Sequence, residues 1–166
     1  EAAATSIQVH LQTNQEDSKR LFNASMIVSA PVIAMSANSP YLYGKDLWSE
    51  SRIAVFEQAL NVSSFRDKKG SEIGPVTFGT GYIRHSVLEF FLENLNAYEA
   101  FLPILFDDPV EKMSHLKLQN GTVWRWNRPI VGTGEQPHIR IEQRIMPAGP
   151  SIIDMVANMA FYMGLT

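Results

Sequence analysis

The strongest constraint on the fold is a stretch near the C-terminal end in which polar and aliphatic residues alternate. Residues 138–144 have the sequence HIRIEQR. Successive side chains of a β-strand point to opposite faces, so this pattern predicts a strand. Ile139 and Ile141 lie on its apolar face, which we expect to turn toward a core. The opposite face carries four polar side chains: His138, Arg140, Glu142 and Arg144.

The charged face of this strand is compatible with two functions. A carboxylate between two guanidinium groups can hold a divalent cation while the arginines bind phosphate or carboxylate oxygens. The alternative is a solvated outer face of an antiparallel sheet, where arginine–glutamate pairs contribute little to stability. Residues 138–144 alone leave both possibilities open.

Composition limits the classes of protein that this chain can belong to. Its 166 residues, 45% of them hydrophobic, suit a single domain with a true core. A net charge of −3 disfavours a nucleic-acid partner, and zero cysteines exclude disulfides and thiolate metal sites. The most apolar run, residues 21–35, is shorter than the roughly 20 residues that span a bilayer. We therefore expect no membrane partner, and the absence of a secretory signal favours a cytoplasmic protein.

Residues 4–12 alternate in the same way and predict a second half-buried strand. Its polar face carries Gln8, His10 and Gln12. An apolar helix follows directly, opened by a capping box of Thr13 and Glu16, kinked at Pro31 and ended before residues 39–40. Because it is apolar nearly all round, we expect this helix to be covered on most sides.

The rest of the chain predicts an α+β fold with a curved antiparallel sheet and helices packed on one face. Asn120-Gly121 between two alternating runs predicts a hairpin, and the turn at 132–135 returns the chain into the strand at 138–144. These strands form a meander that the N-terminal strand joins. Between the N-terminal strand and the meander we predict a helix over 48–60, a long loop over 61–82 with a short strand at 76–78, and a helix opened by the Ser86–Glu89 capping box. A closing helix is capped by Ser151. It has an apolar stripe of Ile152, Ile153, Met155, Val156, Met159 and Met163.

In such a sheet the polar faces of the two alternating strands meet on one surface. Imidazole and carboxylate groups can hold a divalent metal, and arginine and amide groups can bind oxyanions, which together outline a cradle for a nucleotide and a metal. His10 could equally be a hydrogen-bonded histidine of the sheet. Trp124 and Trp126 could simply pack, and a stacking platform for single-stranded nucleic acid is disfavoured by the acidic charge.

Five motifs in this order resemble glutamate–cysteine ligases and related carboxylate–amine ligases. They are residues 6–11 (SIQVHL), 36–40 (SANSP), Ser51-Arg52, 122–128 (TVWRWNR) and 138–144 (HIRIEQR). The resemblance covers most of the chain, and residues 61–113 contribute least. It implies a glutamine-synthetase-like fold, in which the concave face of the sheet holds ATP, divalent metal ions and the substrate amino acid.

The resemblance also implies an activity and a set of site residues. The family forms an acyl phosphate on the side-chain carboxylate of glutamate, which an amine such as cysteine then attacks, a reaction of glutathione biosynthesis. By position, His10 and Glu142 resemble magnesium ligands, Arg144 the arginine that steadies the transferred phosphoryl group, and Arg52 the one that holds glutamate. Four further residues are implied to line the nucleotide pocket: Gln8, Gln12, Trp124 and Arg140.

One expected motif of the family is missing. Members usually carry an earlier strand of the type Gly-x-Glu-x-Glu, and nothing like it precedes Ala2. We therefore expect residues 1–166 to be a single-domain fragment, the C-terminal part of a ligase catalytic domain lacking its first strands, inactive alone and with sheet edges that permit a homo-oligomer. The alternatives are a non-catalytic small-molecule-binding or scaffolding module on the same fold, and a guanidino kinase.

Overall fold

A computed structural model describes residues 4–61, 66, 70, 74 and 76–166 of the chain. The described part is an α+β structure with five α-helices and two small antiparallel sheets. In chain order its elements are β1 (Val9–Thr13), α1 (Gln15–Ser36), β2 (Tyr41–Leu42), β3 (Lys45–Asp46), α2 (Ser51–Leu60), α3 (Leu88–Ala97), a 3-10 turn (Val110–Lys112), α4 (Ser114–Thr122), β4 (Asn127–Gly132), β5 (His138–Gln143) and α5 (Ile152–Leu165).

The larger sheet has three strands in the order β1-β5-β4, all antiparallel. β5 is the central strand, and its alternating pattern predicted the strand itself. His10 of β1 lies opposite Glu142 of β5, and Gln12 lies opposite Arg140. The prediction that the polar faces of the two alternating strands share one surface is therefore confirmed. α1 packs on the opposite face of the sheet through Phe22, which lies in the same buried apolar cluster as Ile141.

The hairpin predicted at Asn120-Gly121 is wrong, because these residues belong to the last turns of α4. Asn120 is buried there, and its side-chain amide donates to the carbonyl of Pro129 at 3.0 Å, so a tertiary contact outweighs the local turn preference. The following strand begins only at Asn127, five residues later than Thr122. The predicted short strand at 76–78 reduces to one bridge between Thr77 and Arg125, and much of the predicted loop over 61–82 lies outside the described residues.

α1 is less covered than its apolar sequence predicted. Ile27 and Met35 are exposed, while four serines contribute to its buried stripe: Ser18, Ser25, Ser29 and Ser36. The helix passes through Pro31 and ends at Ser36, before the predicted stop. Its N-cap is Asn14 rather than Thr13, since the Asn14 side chain accepts from the Asp17 amide at 2.7 Å. The Thr13–Glu16 capping box is therefore wrong by one residue.

Of the two other predicted caps, the one at Ser151 is confirmed. The Ser86–Glu89 capping box is half formed, because the Glu89 side chain accepts from the Ser86 amide while α3 has Val87 as its N-cap and no side-chain cap. The Ser151 hydroxyl accepts from the Asp154 amide at the start of α5. Glu89 accepts from the backbone amides of Arg84, His85 and Ser86 before α3, and these bonds lower its pKa to about 2.

The apolar stripe predicted for α5 is not a buried face. Ile153 is 81% exposed, and Ile152, Val156 and Met163 are exposed as well, because α5 meets the core mainly through Tyr162 and Met159. No helix in the described part combines the length and the apolar character needed to cross a membrane.

Candidate active site

Glu142 is the centre of a charged cluster on the sheet face opposite α1. It is only 3% exposed although it is ionisable. Its Oε1 lies 3.3 Å from Nε2 of His10, and its Oε2 accepts a hydrogen bond from Nε of Arg128. Nε of Arg144 lies 3.7 Å from the same Oε2. We call His10, Arg128, Glu142 and Arg144 the Glu142 cluster.

The register of the sheet assembles this cluster. Glu142 on the central strand lies opposite His10 on one side and Arg128 on the other. Arg128 was missed as a site residue, although the turn at 132–135 fixes the pairing of β4 with β5 and could have revealed it. Gly132 faces His138, whose ring occupies the space that a Cβ at position 132 would take. His138 therefore lies at the other end of β5 from Glu142, with Nδ1 2.9 Å from the Gln136 carbonyl oxygen.

The cluster and its neighbour Arg140 hold more hydrogen-bond donors than acceptors. Three guanidinium groups lie on this face around one carboxylate. Among the described residues nothing hydrogen-bonds Nε and Nη1 of Arg144 or Nε of Arg140, although these atoms are buried. Burial lowers the pKa of Arg144 to about 10, with Arg128 adding to the effect and Glu142 opposing it. The arrangement suits an anion with several oxygens, since buried donors normally have partners.

His10 is favoured in its neutral form. Partial burial lowers its pKa below 6.5, the Glu142 carboxylate opposes this shift, and Arg140, Arg128 and Arg144 reinforce it. A neutral imidazole has a free lone pair, which a metal ion can bind without displacing a proton.

The cluster fits magnesium as a partial set of ligands. No group of three or more His, Cys, Asp or Glu side chains that could hold a metal occurs in the described ranges. Magnesium, however, is often held by one or two carboxylates together with waters and substrate phosphates. A carboxylate has about four lone-pair sites, so Glu142 keeps acceptor capacity beside Arg128 and His10. Imidazole is a less usual partner for this ion than oxygen.

Trp124 stacks on the guanidinium group of Arg144. The guanidinium carbon of Arg144 lies 3.1 Å from the centroid of the Trp124 ring, which holds the charged plane against the aromatic face. Phe56 of α2 packs on Trp124 at a centroid distance of 4.3 Å and fixes the ring in turn. Gln12 is exposed on β1 opposite Arg140, and Gln8 is exposed just before β1.

Arg52 lies in the core, and its described contacts are with groups other than the Glu142 cluster. Its Nε donates to Glu50 at 2.7 Å, its guanidinium also donates to the carbonyl of Ile145, and its charge lies 5.6 Å from the ring centroid of Trp126. Burial lowers its pKa, and Glu50 opposes the shift. The interaction of Arg52 with substrate glutamate stays a prediction.

A comparison with protein families identifies the chain. The glutamate-cysteine ligase family 2 matches residues 2–166, and the chain belongs to this family. Membership indicates a ligase of the glutamate–cysteine type with small-molecule substrates. No curated protein and no solved structure matches the chain.

Proposed function

We propose that the chain contributes the phosphate- and metal-binding face of an ATP- and magnesium-dependent ligase. The enzyme joins the side-chain carboxylate of glutamate to an amine, with cysteine as the first candidate. The observation that carries the proposal is the Glu142 cluster, a buried carboxylate among arginines whose donors are not all hydrogen-bonded by the described residues. Membership in the glutamate-cysteine ligase family supports the choice of reaction.

Arg144 is the proposed contact for the transferred phosphoryl group. In the first step a carboxylate oxygen of glutamate bonds to the γ-phosphorus of ATP and ADP leaves. In the second step the amine nitrogen bonds to the acyl carbon, phosphate leaves and the nitrogen loses a proton. Nε and Nη1 of Arg144, which have no hydrogen-bond partner among the described residues, are the proposed donors to phosphoryl oxygens in both steps, and a rigid donor stabilises the developing charge well. His10 and Glu142 are the proposed magnesium ligands, and magnesium would neutralise phosphate charge.

The other proposed contacts surround this centre. Arg140, whose Nε has no hydrogen-bond partner among the described residues, is suited with Gln8 and Gln12 to ATP oxygens and hydroxyls, while Trp124 orients Arg144. Arg52 would hold the glutamate substrate by exchanging Glu50 for a substrate carboxylate.

We also propose that the three-stranded sheet is part of a glutamine-synthetase-like catalytic domain. In this arrangement residues 1–166 are its C-terminal part, and further strands supply the remaining metal ligands. The presence of two candidate ligands, His10 and Glu142, on adjacent strands supports this division. Pairing of the outer strands with a second copy would give a homo-oligomer, and we expect the enzyme in the cytoplasm.

The test is an ATP-consumption assay on the full-length protein with glutamate and magnesium fixed and a panel of amines varied. We expect amine-dependent release of phosphate and an amide product. Glu142→Gln should lower turnover about a hundredfold or more, because removing one group that stabilises charge in the transition state typically has an effect of this size. Gln keeps an acceptor for Arg128, so the fold should persist.

Glu135→Gln is the matched control, because Glu135 is exposed in the turn between β4 and β5 and should leave turnover unchanged. Full turnover in the Glu142 variant would exclude its metal role. No turnover with any amine would favour a non-catalytic binding module, and a phosphorylated nitrogen without an amide would favour a guanidino kinase.

A further inference from the structure

The proposed reaction leaves Arg125 without a role, although this residue is charged and only 1% exposed. It lies on the short segment 123–126 between α4 and β4. Its Nη2 donates to Oε1 of Glu93 on α3 at 2.6 Å and to Oδ1 of Asn94 at 3.1 Å. Its Nη1 donates to the Thr77 hydroxyl. We call Thr77, Glu93, Asn94 and Arg125 the Arg125 clamp.

The clamp holds the backbone that carries Trp124. Trp124 and Trp126 flank Arg125 and lie outside helices and strands. The Thr77 amide donates to the Trp124 carbonyl at 3.3 Å, and the Thr77 carbonyl accepts from the Trp126 amide at 3.1 Å. In the described structure this isolated bridge of Thr77 with Arg125 takes the place of a strand ladder. The Arg125 side chain ties the same Thr77 to α3, so the position of the segment depends on the clamp.

The side chains of Arg125 and Trp124 leave this segment toward different neighbours. Arg125 reaches α3, whereas the Trp124 ring lies against Arg144, with 3.1 Å between the ring centroid and the guanidinium carbon. The Arg144 amide also donates to the Trp126 carbonyl at 2.9 Å. A displacement of the segment would therefore move two groups that hold Arg144, the stacked ring and the backbone acceptor.

We propose that Arg125 is a positioning residue, which holds Trp124 and through it keeps the guanidinium group of Arg144 in place for phosphoryl oxygens. Its consequence for turnover rests on the function proposed for the Glu142 cluster. The alternative is that the clamp only stabilises the fold. Buried ion pairs are weak stabilisers, since apolar residues of similar volume often replace them without loss. A displacement of about 1 Å in an active site, by contrast, can lower turnover about a hundredfold.

The first experiment follows Arg144 in the full-length protein labelled with [¹⁵N]arginine. The ring current of a stacked indole shifts the NMR signal of the Arg144 Nε–H upfield, and Trp124→Leu defines its unshifted position. Arg125→Met should move the signal most of the way to that position. Tyr162→Phe should leave the signal in place, although it removes a buried hydrogen bond and lowers stability. An unchanged Arg144 signal in the Arg125 variant would overturn the proposal.

A matched pair of threonine substitutions serves if Arg125→Met does not fold. The Thr77 hydroxyl accepts from Arg125, whereas the Thr80 hydroxyl donates to Glu93 at 2.7 Å. Valine has nearly the shape of threonine but lacks the hydroxyl. Thr77→Val should move the Arg144 signal part of the way to the unshifted position, and Thr80→Val should leave it unchanged. Equal shifts in the two variants, or none in either, would overturn the proposal.

Turnover separates this inference from the proposed function. In the ATP-consumption assay Arg125→Met should lower turnover about tenfold or more, and Thr80→Val should leave it unchanged. Loss of the ring-current shift with full turnover would overturn the positioning role, because the stack would then not matter for the reaction. If the native protein releases no phosphate with any amine, the proposed function fails. The NMR comparison still decides in that case whether Arg125 positions Arg144.

Discussion

Glu142 and Gln143 are neighbours on β5, are almost equally buried, and point to opposite faces of the sheet. On the Gln143 side the polar groups are neutral and paired. Nε2 of Gln143 donates to the Ser29 hydroxyl at 2.8 Å and to the Ser25 carbonyl at 3.2 Å. Its Oε1 accepts from the backbone amides of Arg144 and Ile145.

The same network continues into two other elements. The Ser25 hydroxyl donates to Asn127 at 2.9 Å and lies 2.8 Å from the hydroxyl of Tyr162 on α5. Nδ2 of Asn127 donates to the Phe22 carbonyl. We call Ser25, Ser29, Asn127, Gln143 and Tyr162 the Gln143 network. It joins α1, α5 and the sheet with groups of the chain itself.

The Glu142 cluster lacks this completeness. Its arginines outnumber its carboxylate, and Arg144 keeps buried donors for which the described residues offer no hydrogen-bond partner. Glu142 and Gln143 are almost equally shielded from water, yet their two faces differ in whether the described part of the chain satisfies the polar groups there. The satisfied face explains stability, and the unsatisfied face is the one with capacity for a ligand.

The largest effect on stability is expected from Gln143→Leu. The substitution removes the bonds to Ser25 and Ser29 and leaves the Ile145 amide without its acceptor, so the free energy of unfolding should fall by about 3 kcal/mol. Urea denaturation measures it. Gln15→Leu, at the exposed start of α1, is the control and should change the free energy of unfolding by less than about 0.5 kcal/mol. A similarly small effect of Gln143→Leu would contradict a stabilising role for the network.

Arg144→Lys tests the Glu142 cluster on the opposite face of β5. Lysine keeps the charge but loses the planar stack on Trp124 and the forked donors, so affinity for pyrophosphate should fall about tenfold. Isothermal titration calorimetry with pyrophosphate measures the change, and Arg20→Lys on the exposed side of α1 should have no effect. Unchanged affinity in the Arg144 variant would remove the cluster from consideration as a phosphate site.

The sequence predicted the features that depend on strand periodicity. Alternation placed His10, Arg140 and Glu142 on one face, and the register of β1 with β5 brings His10 next to Glu142 as expected. The alternation also put Ile141 on the α1 side, where it is fully buried.

Features that depend on contacts between residues far apart in the sequence were not predicted. Arg128 joins Glu142 only through the pairing of β4 with β5, and Asn120 stays helical because the Pro129 carbonyl accepts its amide. Ser25 and Ser29 belong to the buried stripe of α1, where Asn127 and Gln143 offer them partners that hydrophobicity alone does not reveal. The family resemblance alone suggests a role for Arg52, and no sequence pattern predicts that this arginine is buried against the ring of Trp126.

The smallest effect on the free energy of unfolding is expected from Tyr162→Phe. Its dependence on pH tests whether the Gln143 network, unlike the Glu142 cluster, depends on neutral groups. Loss of the bond to Ser25 should cost about 1 kcal/mol at neutral pH. Burial raises the pKa of Tyr162 above its usual value of 10, so the folded state favours the neutral phenol. This contribution is complete below pH 10 and is lost as the pH rises through the folded-state pKa.

The stability difference between the native protein and the Tyr162 variant should therefore stay constant up to about pH 10 and shrink as the pH rises further in urea titrations. Tyr43→Phe is the control, because Tyr43 is 95% exposed and its loss should leave the free energy of unfolding unchanged at every pH. A stability difference that stays constant up to pH 11 would mean that the Tyr162 hydroxyl is not shielded from water as the network requires. A shrinking one would show that the Gln143 network depends on neutral groups, unlike the charged cluster across the sheet.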